Sequence, residues 1–172
     1  KKDAVLAEEL INDEKENAEH VMLVDLARND LSRNGNKVKV ETYREVQFFS
    51  HVIHLVSKVT GQKHKETSTM QMVADTFPAG TLSGAPKHRA MQLIEKYETT
   101  KRGIYSGALG YIAPNGDFDF NVIIRTIIYN SKTKYLSYMV GSAITNLSDP
   151  YNEYDECLLK AKSMSLALGI KI

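Results

Sequence analysis

Acidic side chains at helical spacing are the first residues of this sequence that could do chemistry. Glu153, Glu156 and Lys160 follow one another at intervals that place them along one helix face. Glu19 precedes the most apolar part of another predicted helix, where a carboxylate needs a partner or a cation. Carboxylates from two helices that meet across a cleft suit Mg²⁺, which prefers oxygen ligands and keeps several waters. From spacing alone, two solvated helix faces are the favoured alternative.

A loop rich in glycine and proline, over residues 78–87, is the second candidate. Gly80 would let backbone N–H groups approach an anion, and Thr81 adds a hydroxyl donor. A predicted helix follows, with its positive end toward the loop. The spacing differs from that of a nucleotide-binding P-loop. The alternative is a strained turn that only joins two elements.

Single residues on predicted strands complete the set of candidates. Arg125 lies in a nearly apolar strand, where its guanidinium would need a carboxylate, either internal or on a substrate. His54 lies on another apolar strand and is by type more often a core or edge residue than a catalyst. Tyr105 precedes a strand with glycines and Gly141-Ser142 ends one, so each could admit a ligand or be an ordinary strand end. Together these residues predict a site for a small anion with several carboxylates.

An α+β fold, a mainly antiparallel β-sheet with helices packed outside, is predicted to position these residues. Hydrophobic periodicity, caps and turn residues define its elements. They are helices over 13–31, 68–77, 86–97 and 149–168, strands over 37–41 and 48–61, three antiparallel strands within 104–144, and turns at 34–36, 114–117 and 130–133. We expect one domain over residues 1–172.

Composition excludes several classes of function. The 172 residues carry 22 Lys and Arg against 21 Asp and Glu, a net charge of +1 that gives no general affinity for nucleic acid. No apolar run approaches the roughly 20 residues of a membrane helix. A single cysteine excludes an internal disulfide and cysteine-based zinc sites. Because the start of the chain has no signal-peptide pattern, the expected compartment is the cytoplasm.

Six strings in series resemble the chorismate-utilising enzymes, most closely the anthranilate synthase component I group of that family. They lie at residues 19–31, 50–57, 77–87, 102–108, 124–126 and 149–160. Each string alone is moderately specific, but their order and spacing hold over nearly the whole chain. The loop Thr81-Leu82-Ser83 favours this group over the aminodeoxychorismate synthases, and isochorismate and salicylate synthases fit the loop less well.

The resemblance implies a Mg²⁺-dependent lyase and assigns the acidic residues to the metal. Glu19 and Glu156 would bind Mg²⁺, with Glu153 close by. Lys160 resembles a lysine near the metal site and is also expected to bind the substrate. The ion would hold the ring carboxylate of chorismate.

The remaining candidates would act on the substrate. Arg125 and Tyr105 are implied to bind the enolpyruvyl side chain of chorismate. His54 and Thr81 would be catalytic, with His54 assisting the elimination of pyruvate. Further pocket-lining positions are Gly80, Gly141, Ser142 and the loop after Thr81.

The implied reaction has two steps. Ammonia adds to the chorismate ring with loss of the ring hydroxyl, and pyruvate is then eliminated to give anthranilate, an intermediate of tryptophan biosynthesis. The ammonia would come from a glutamine amidotransferase partner. Two alternatives are an aminodeoxychorismate synthase, which omits the elimination, and a noncatalytic interaction module.

Two departures from the family pattern bear on activity. Gly141-Ser142-Ala143 stands where many relatives have Gly-Ala-Gly, and a Cβ at Ala143 would alter how backbone N–H groups meet a substrate carboxylate. The chain also corresponds to roughly the C-terminal half to two-thirds of the family's catalytic region. We therefore expect the isolated chain to be inactive or nearly so, and its exposed apolar sheet surface to favour association with a second copy.

Overall fold

The computed structural model describes residues 2–49 and 52–170. Ser50 and His51 lie outside the described residues, although both belong to one of the matching strings and to the predicted strand over 48–61. Within the described part of the chain there are six helices and six strands. They are α1 (Lys2–Asn12), α2 (Glu14–Asn34), β1 (Gly35–Phe48), β2 (Ile53–Lys63), α3 (Thr69–Thr76), α4 (Gly80–Ser83), α5 (Lys87–Tyr97), β3 (Ala108–Ile112), β4 (Phe118–Val122), β5 (Ile127–Asn130), β6 (Tyr135–Tyr138) and α6 (Pro150–Ala167).

The chain divides into two compact units. The first contains the chain up to Thr81 together with Ala85–Lys87, and the second contains Leu82–Gly84 and the chain from His88 onward. Helices accompany purely antiparallel strand pairs in both, which confirms the predicted α+β class. That the two units form one domain stays a prediction. No helix in the described ranges is long and apolar enough to cross a membrane.

Helix α2 begins where the sequence predicts. The side chain of Asp13 accepts a hydrogen bond from the backbone N–H of Glu16 at 2.8 Å, which satisfies one of the free donors at the helix start. Helix α1, which precedes it, was not predicted. It buries Ala7 but leaves Val5 and Leu6 more than half exposed, so its apolar pattern does not mark a buried face.

A long antiparallel hairpin, β1–β2, follows α2 directly. The turn predicted at 34–36 is wrong, because Asn34 ends the helix and Gly35 already pairs with Lys63. A Cβ at Gly35 would lie 2.7 Å from a backbone carbonyl oxygen of β2, so the absence of a side chain permits this close junction. The predicted strand over 37–41 falls inside β1, and the one predicted over 48–61 is divided between β1 and β2.

A buried ion pair fastens the first unit. The Nζ of Lys87 lies 2.5 Å from Oδ2 of Asp30 and 2.7 Å from the carbonyl oxygen of Thr76. The two side chains are only 14% and 10% exposed. This lysine therefore joins α2, the end of α3 and the start of α5. The other carboxylate oxygen of Asp30, Oδ1, is buried without a hydrogen-bond partner.

The loop over residues 78–87 is less irregular than predicted. Gly80 to Ser83 form the short helical turn α4, and α5 begins at Lys87, one residue after the predicted Pro86. A Cβ at Gly80 would lie 2.2 Å from Cδ2 of Leu26. Close packing against α2 thus accounts for a glycine at this position.

The second unit contains two separate hairpins, β3–β4 and β5–β6, instead of the three strands predicted. Both predicted turns are present. Oδ1 of Asn115 accepts from the N–H of Asp117 at 3.1 Å, and Oδ1 of Asn130 accepts from the N–H of Lys132 at 3.0 Å. The strand predicted to continue through Arg125 is interrupted, because the φ of 48° at that residue is left-handed.

Helix α6 begins and ends as predicted. Asp149 caps it by accepting two backbone N–H groups, each at 3.0 Å, and Pro150 occupies its first position. Gly169, with a φ of 69°, follows its end. The hydroxyls of Tyr138 and Ser165 lie 2.9 Å apart and join β6 to the buried face of α6.

We predict that Lys87→Met lowers the free energy of unfolding by about 3–5 kcal/mol, because Asp30 would stay buried without its ammonium partner. Urea denaturation followed by circular dichroism measures this change. Lys101→Met is the matched control, since Lys101 pairs with Glu95 and both side chains are at least 70% exposed. The control should change stability by less than about 1 kcal/mol. Equal losses in the two variants would contradict a stabilising role for the buried pair.

Candidate functional site

The segment after β6 and one face of α6 bring two predicted metal ligands together. Glu153 and Glu156 are one helical turn apart, so both side chains project toward the same segment. The Oγ of Ser142 lies within hydrogen-bond distance of Oε2 of both, at 2.6 Å from Glu156. Glu153 is 4% exposed, whereas the side chain of Glu156 is 37% exposed. One hydroxyl therefore lies between two carboxylates of different burial.

Lys160 fixes the other side of this cluster. Its Nζ lies 2.6 Å from Oε1 of Glu156 and donates to the carbonyl oxygen of Gly141 at 3.0 Å. Glu156 thus presents one oxygen to the ammonium group and the other to Ser142. The ion pair also binds α6 to the same segment that carries Ser142.

Tyr105 approaches the backbone of this segment. A Cβ at Gly141 would lie 3.0 Å from the Tyr105 hydroxyl oxygen, so the glycine leaves room for the phenol. Burial raises the pKa of Tyr105, while the positive charges of Arg102 and Lys160 partly offset that rise. The second unit therefore brings together six of the predicted residues. We call this set the α6 cluster, and it consists of Tyr105, Gly141, Ser142, Glu153, Glu156 and Lys160.

Arg102 is a neighbour of this cluster to which the sequence assigned no role. Its guanidinium carbon lies 5.7 Å from the centre of the Tyr105 ring, and its Nη1 donates to the carbonyl oxygen of Leu82 at 2.8 Å. Hydrogen bonds to Glu98 raise the pKa of Arg102 above its ordinary value. The matching string at 102–108 was the sequence signal for Arg102. Such a match does not show that the Arg102 side chain reaches the carbonyl oxygen of Leu82.

Arg125 differs from its prediction. It was expected in a nearly apolar strand, but it lies between β4 and β5 and is exposed. Because the strand is interrupted there, the guanidinium does not need an internal carboxylate. Its implied role toward a substrate stays a prediction.

The other predicted residues belong to the first unit. Glu19 is half-buried on α2, and His54 is exposed on β2 with its ring 5.7 Å from that of Phe49. Gly80 and Thr81 form the start of α4. The packing of Gly80 against α2 explains that glycine without a ligand, so its anion-binding role stays a prediction.

His20, beside Glu19, makes a contact that the sequence did not predict. Its Nε2 lies 2.7 Å from Oγ of Ser57, which also accepts the backbone N–H of Arg44 at 2.9 Å. The Ser57 hydroxyl can donate to a neutral imidazole in this arrangement. Burial lowers the pKa of His20, and the charge of Arg44 lowers it further. These contacts hold α2 on β2 immediately next to Glu19.

The donor set of the α6 cluster fits magnesium better than a transition metal. Within the described ranges, no group of three or more His, Cys, Asp or Glu side chains could hold a metal ion. Magnesium does not need such a group, because one or two carboxylates usually bind it while water and substrate anions complete its shell. Glu153 and Glu156, whose Oε2 atoms approach one hydroxyl, are suitable ligands of that type.

Comparison with known proteins gives the family. The sequence profile of the family described as chorismate binding enzyme matches residues 1–166 of this chain. The chain belongs to the chorismate binding enzyme family. Its relatives include anthranilate synthase component 1 of Aquifex aeolicus, 44% identical over 170 residues, and that of Methanothermobacter thermautotrophicus, 47% identical over 171 residues. These matches cover 98% and 96% of this chain but 34% and 36% of the relatives, so the chain spans about a third of their length.

A solved structure of this chorismate binding family has the same fold. Anthranilate synthase component I from Streptococcus pneumoniae superposes with a TM-score of 0.85 at 47% sequence identity. The superposition covers 95% of this chain and 38% of the other. The resemblance to anthranilate synthase component I that the six strings indicated is thereby confirmed.

We predict that His20 makes stability depend on pH. Its pKa is lowered in the folded chain, so below the ordinary value of about 6.5 the unfolded chain takes up the proton first. Stability therefore falls as the pH falls from 7 toward 5, and His20→Gln should reduce that loss. Urea midpoints at both pH values measure the effect, with His88→Gln on the exposed face of α5 as control. A pH dependence unchanged by His20→Gln would refute the prediction.

Proposed function

We propose that this chain is part of an anthranilate synthase component I. That enzyme converts chorismate and ammonia to anthranilate and pyruvate. The observation that carries the proposal is the α6 cluster, in which two carboxylates, a lysine and a tyrosine surround the segment after β6 in a chorismate binding protein; that segment was predicted to end a strand, but β6 already ends at Tyr138. Because the chain spans about a third of its relatives' length, we assign the activity to a protein of their full length. In the isolated chain we expect little or no activity.

Magnesium is the cofactor we assign. Glu153 and Glu156 would hold it in the second unit, and Glu19 has the same proposed role in the first. When bound, the ion supplies positive charge that orients and polarises a substrate carboxylate. The contact of Lys160 with Oε1 of Glu156 keeps that carboxylate from rotating and leaves Oε2 toward Ser142. In the second unit, Glu153, Glu156 and Lys160 are thus assigned to forming the metal site.

Chorismate carries two carboxylates, so the site needs a second anion-binding group. We assign this role to Arg125, whose exposed guanidinium can bind a carboxylate through two parallel hydrogen bonds. Tyr105 would donate its hydroxyl hydrogen to the enolpyruvyl group, since burial raises its pKa and keeps the phenol protonated. Gly141 and Ser142 would contribute backbone N–H groups beside it.

Two residues of the first unit are assigned to catalysis. His54 would exchange the proton that leaves the ring carbon as pyruvate is eliminated and the ring becomes aromatic, because imidazole exchanges protons near neutral pH. Thr81, with Gly80, would line the pocket and direct its hydroxyl to the substrate. We further propose that a glutamine amidotransferase, component II, supplies the ammonia. We also propose that the protein is cytoplasmic and that it associates with a second copy of itself.

Anthranilate fluorescence tests the proposal. The chain extended to the length of its relatives is incubated with chorismate, Mg²⁺ and ammonium, and the 172-residue chain is assayed in parallel. We expect anthranilate from the extended protein alone. Chorismate loss without anthranilate would replace the proposal by a sister enzyme that stops before elimination or adds water. A folded extended protein that consumes no chorismate would favour a noncatalytic module.

For Arg125→Ala in the extended protein we predict a fall in kcat/KM for chorismate of about 10- to 100-fold, because a charge-assisted contact to a carboxylate is lost. The melting temperature should not change, since the side chain is exposed. Lys132→Ala, in the exposed turn after β5, is the matched control. Unfolding of Arg125→Ala would instead make the residue structural, and unchanged kinetics would remove it from the site.

A further inference from the structure

The Ser142 side chain makes contacts that the backbone role of its segment does not require. Its Oγ approaches Oε2 of Glu153 and Oε2 of Glu156, the latter at 2.6 Å. Both contacts are to side chains of α6, whereas Ser142 lies outside that helix, 11 and 14 residues earlier in the chain. The hydroxyl therefore links two carboxylates that belong to the neighbouring helix.

A hydroxyl has one proton, and two carboxyl groups in the ionised form that binds a metal can only accept. Ser142 can therefore donate to one glutamate at a time, and its contact with the other brings together two oxygen atoms with lone pairs. Such an arrangement gathers three oxygens around one point. A cation near that point would be attracted by both carboxylates, and it would also relieve the oxygen–oxygen contact.

Neighbouring contacts keep the three oxygens from separating. Lys160 holds Oε1 of Glu156 and the carbonyl oxygen of Gly141, which is the residue before Ser142. Glu153 is 4% exposed, so its carboxylate has little freedom to turn toward solvent. The geometry is thus set by both α6 and the segment after β6.

We propose that Ser142 is a positioning residue that draws the carboxylates of Glu153 and Glu156 to one point and so prepares them to bind a divalent cation. The inference rests on the proposed function, because it concerns the same pair of carboxylates. It adds a side-chain role to a position for which the sequence indicated only backbone N–H groups. Partners that orient metal ligands typically change metal affinity by 10- to 100-fold when removed.

The test measures Mn²⁺ affinity, from the electron paramagnetic resonance signal of the free ion, with competition by Mg²⁺. It uses the chain extended to the length of its relatives and its Ser142→Ala, Ser142→Thr and Ser163→Ala variants. Ser163 is exposed on α6 and gives a matched loss of one hydroxyl. We expect Ser142→Ala to weaken binding about tenfold, and Ser142→Thr and Ser163→Ala to bind as the parent does. Ser142→Gly replaces Ser142→Ala if that variant does not fold.

Separate outcomes address the two proposals. Glu156→Gln should weaken Mn²⁺ binding whether or not Ser142 has this role. Parent-like affinity in Ser142→Ala, with a weakened Glu156→Gln, overturns the role of Ser142 and leaves the proposed function standing. Equal weakening of Mn²⁺ binding in Ser142→Ala and Ser163→Ala also overturns the role of Ser142, because the loss of either hydroxyl would then have the same effect. Absence of Mn²⁺ binding in the parent overturns both the metal site and the role of Ser142.

Discussion

A carboxylate removed from water has to be matched by a hydrogen-bond donor or a positive charge, and both units of this chain are built around that requirement. Asp30 and Glu153 are the buried acidic residues of the described ranges, at 7% and 4% exposure. The donor to Asp30 comes from 57 residues away, and a donor to Glu153 comes from 11 residues away. Each carboxylate thus links a helix to a residue outside that helix. The buried apolar residues of the described ranges are few: Ala7, Ile123, Ala161 and Met164.

Helix limits and hairpin turns could be predicted because they depend on local chemistry. Asp13 and Asp149 accept the free N–H groups of their own helices, and Asn115 accepts within its own turn. The failures have causes that residue type does not show. Gly35 reads as a turn residue by type, but its pairing with β2 decides its conformation. Arg125 reads as a strand residue among apolar neighbours, but its left-handed φ ends the strand.

The candidate site also contains features that local sequence predicted and features that it did not. Spacing on one helix was enough to place Glu153, Glu156 and Lys160 on a common face, and the six strings tied that face to a family. No sequence pattern specified that the Ser142 hydroxyl would reach both carboxylates, because this depends on how α6 rotates against the segment after β6. The comparison gives the family, and the side-chain contacts show which of the predicted residues lie together in the second unit.

The contact between Gly80 and Leu26 has a consequence for the evolution of this loop. A Cβ at position 80 would meet Cδ2 of Leu26 at 2.2 Å, far inside van der Waals contact, so any side chain at position 80 requires the Leu26 side chain to move. A larger residue at 80 becomes tolerable only after Leu26 has changed rotamer or been shortened. Homologous sequences should therefore show correlated substitution at this pair, and a mutational library that varies the loop should randomise position 26 together with position 80.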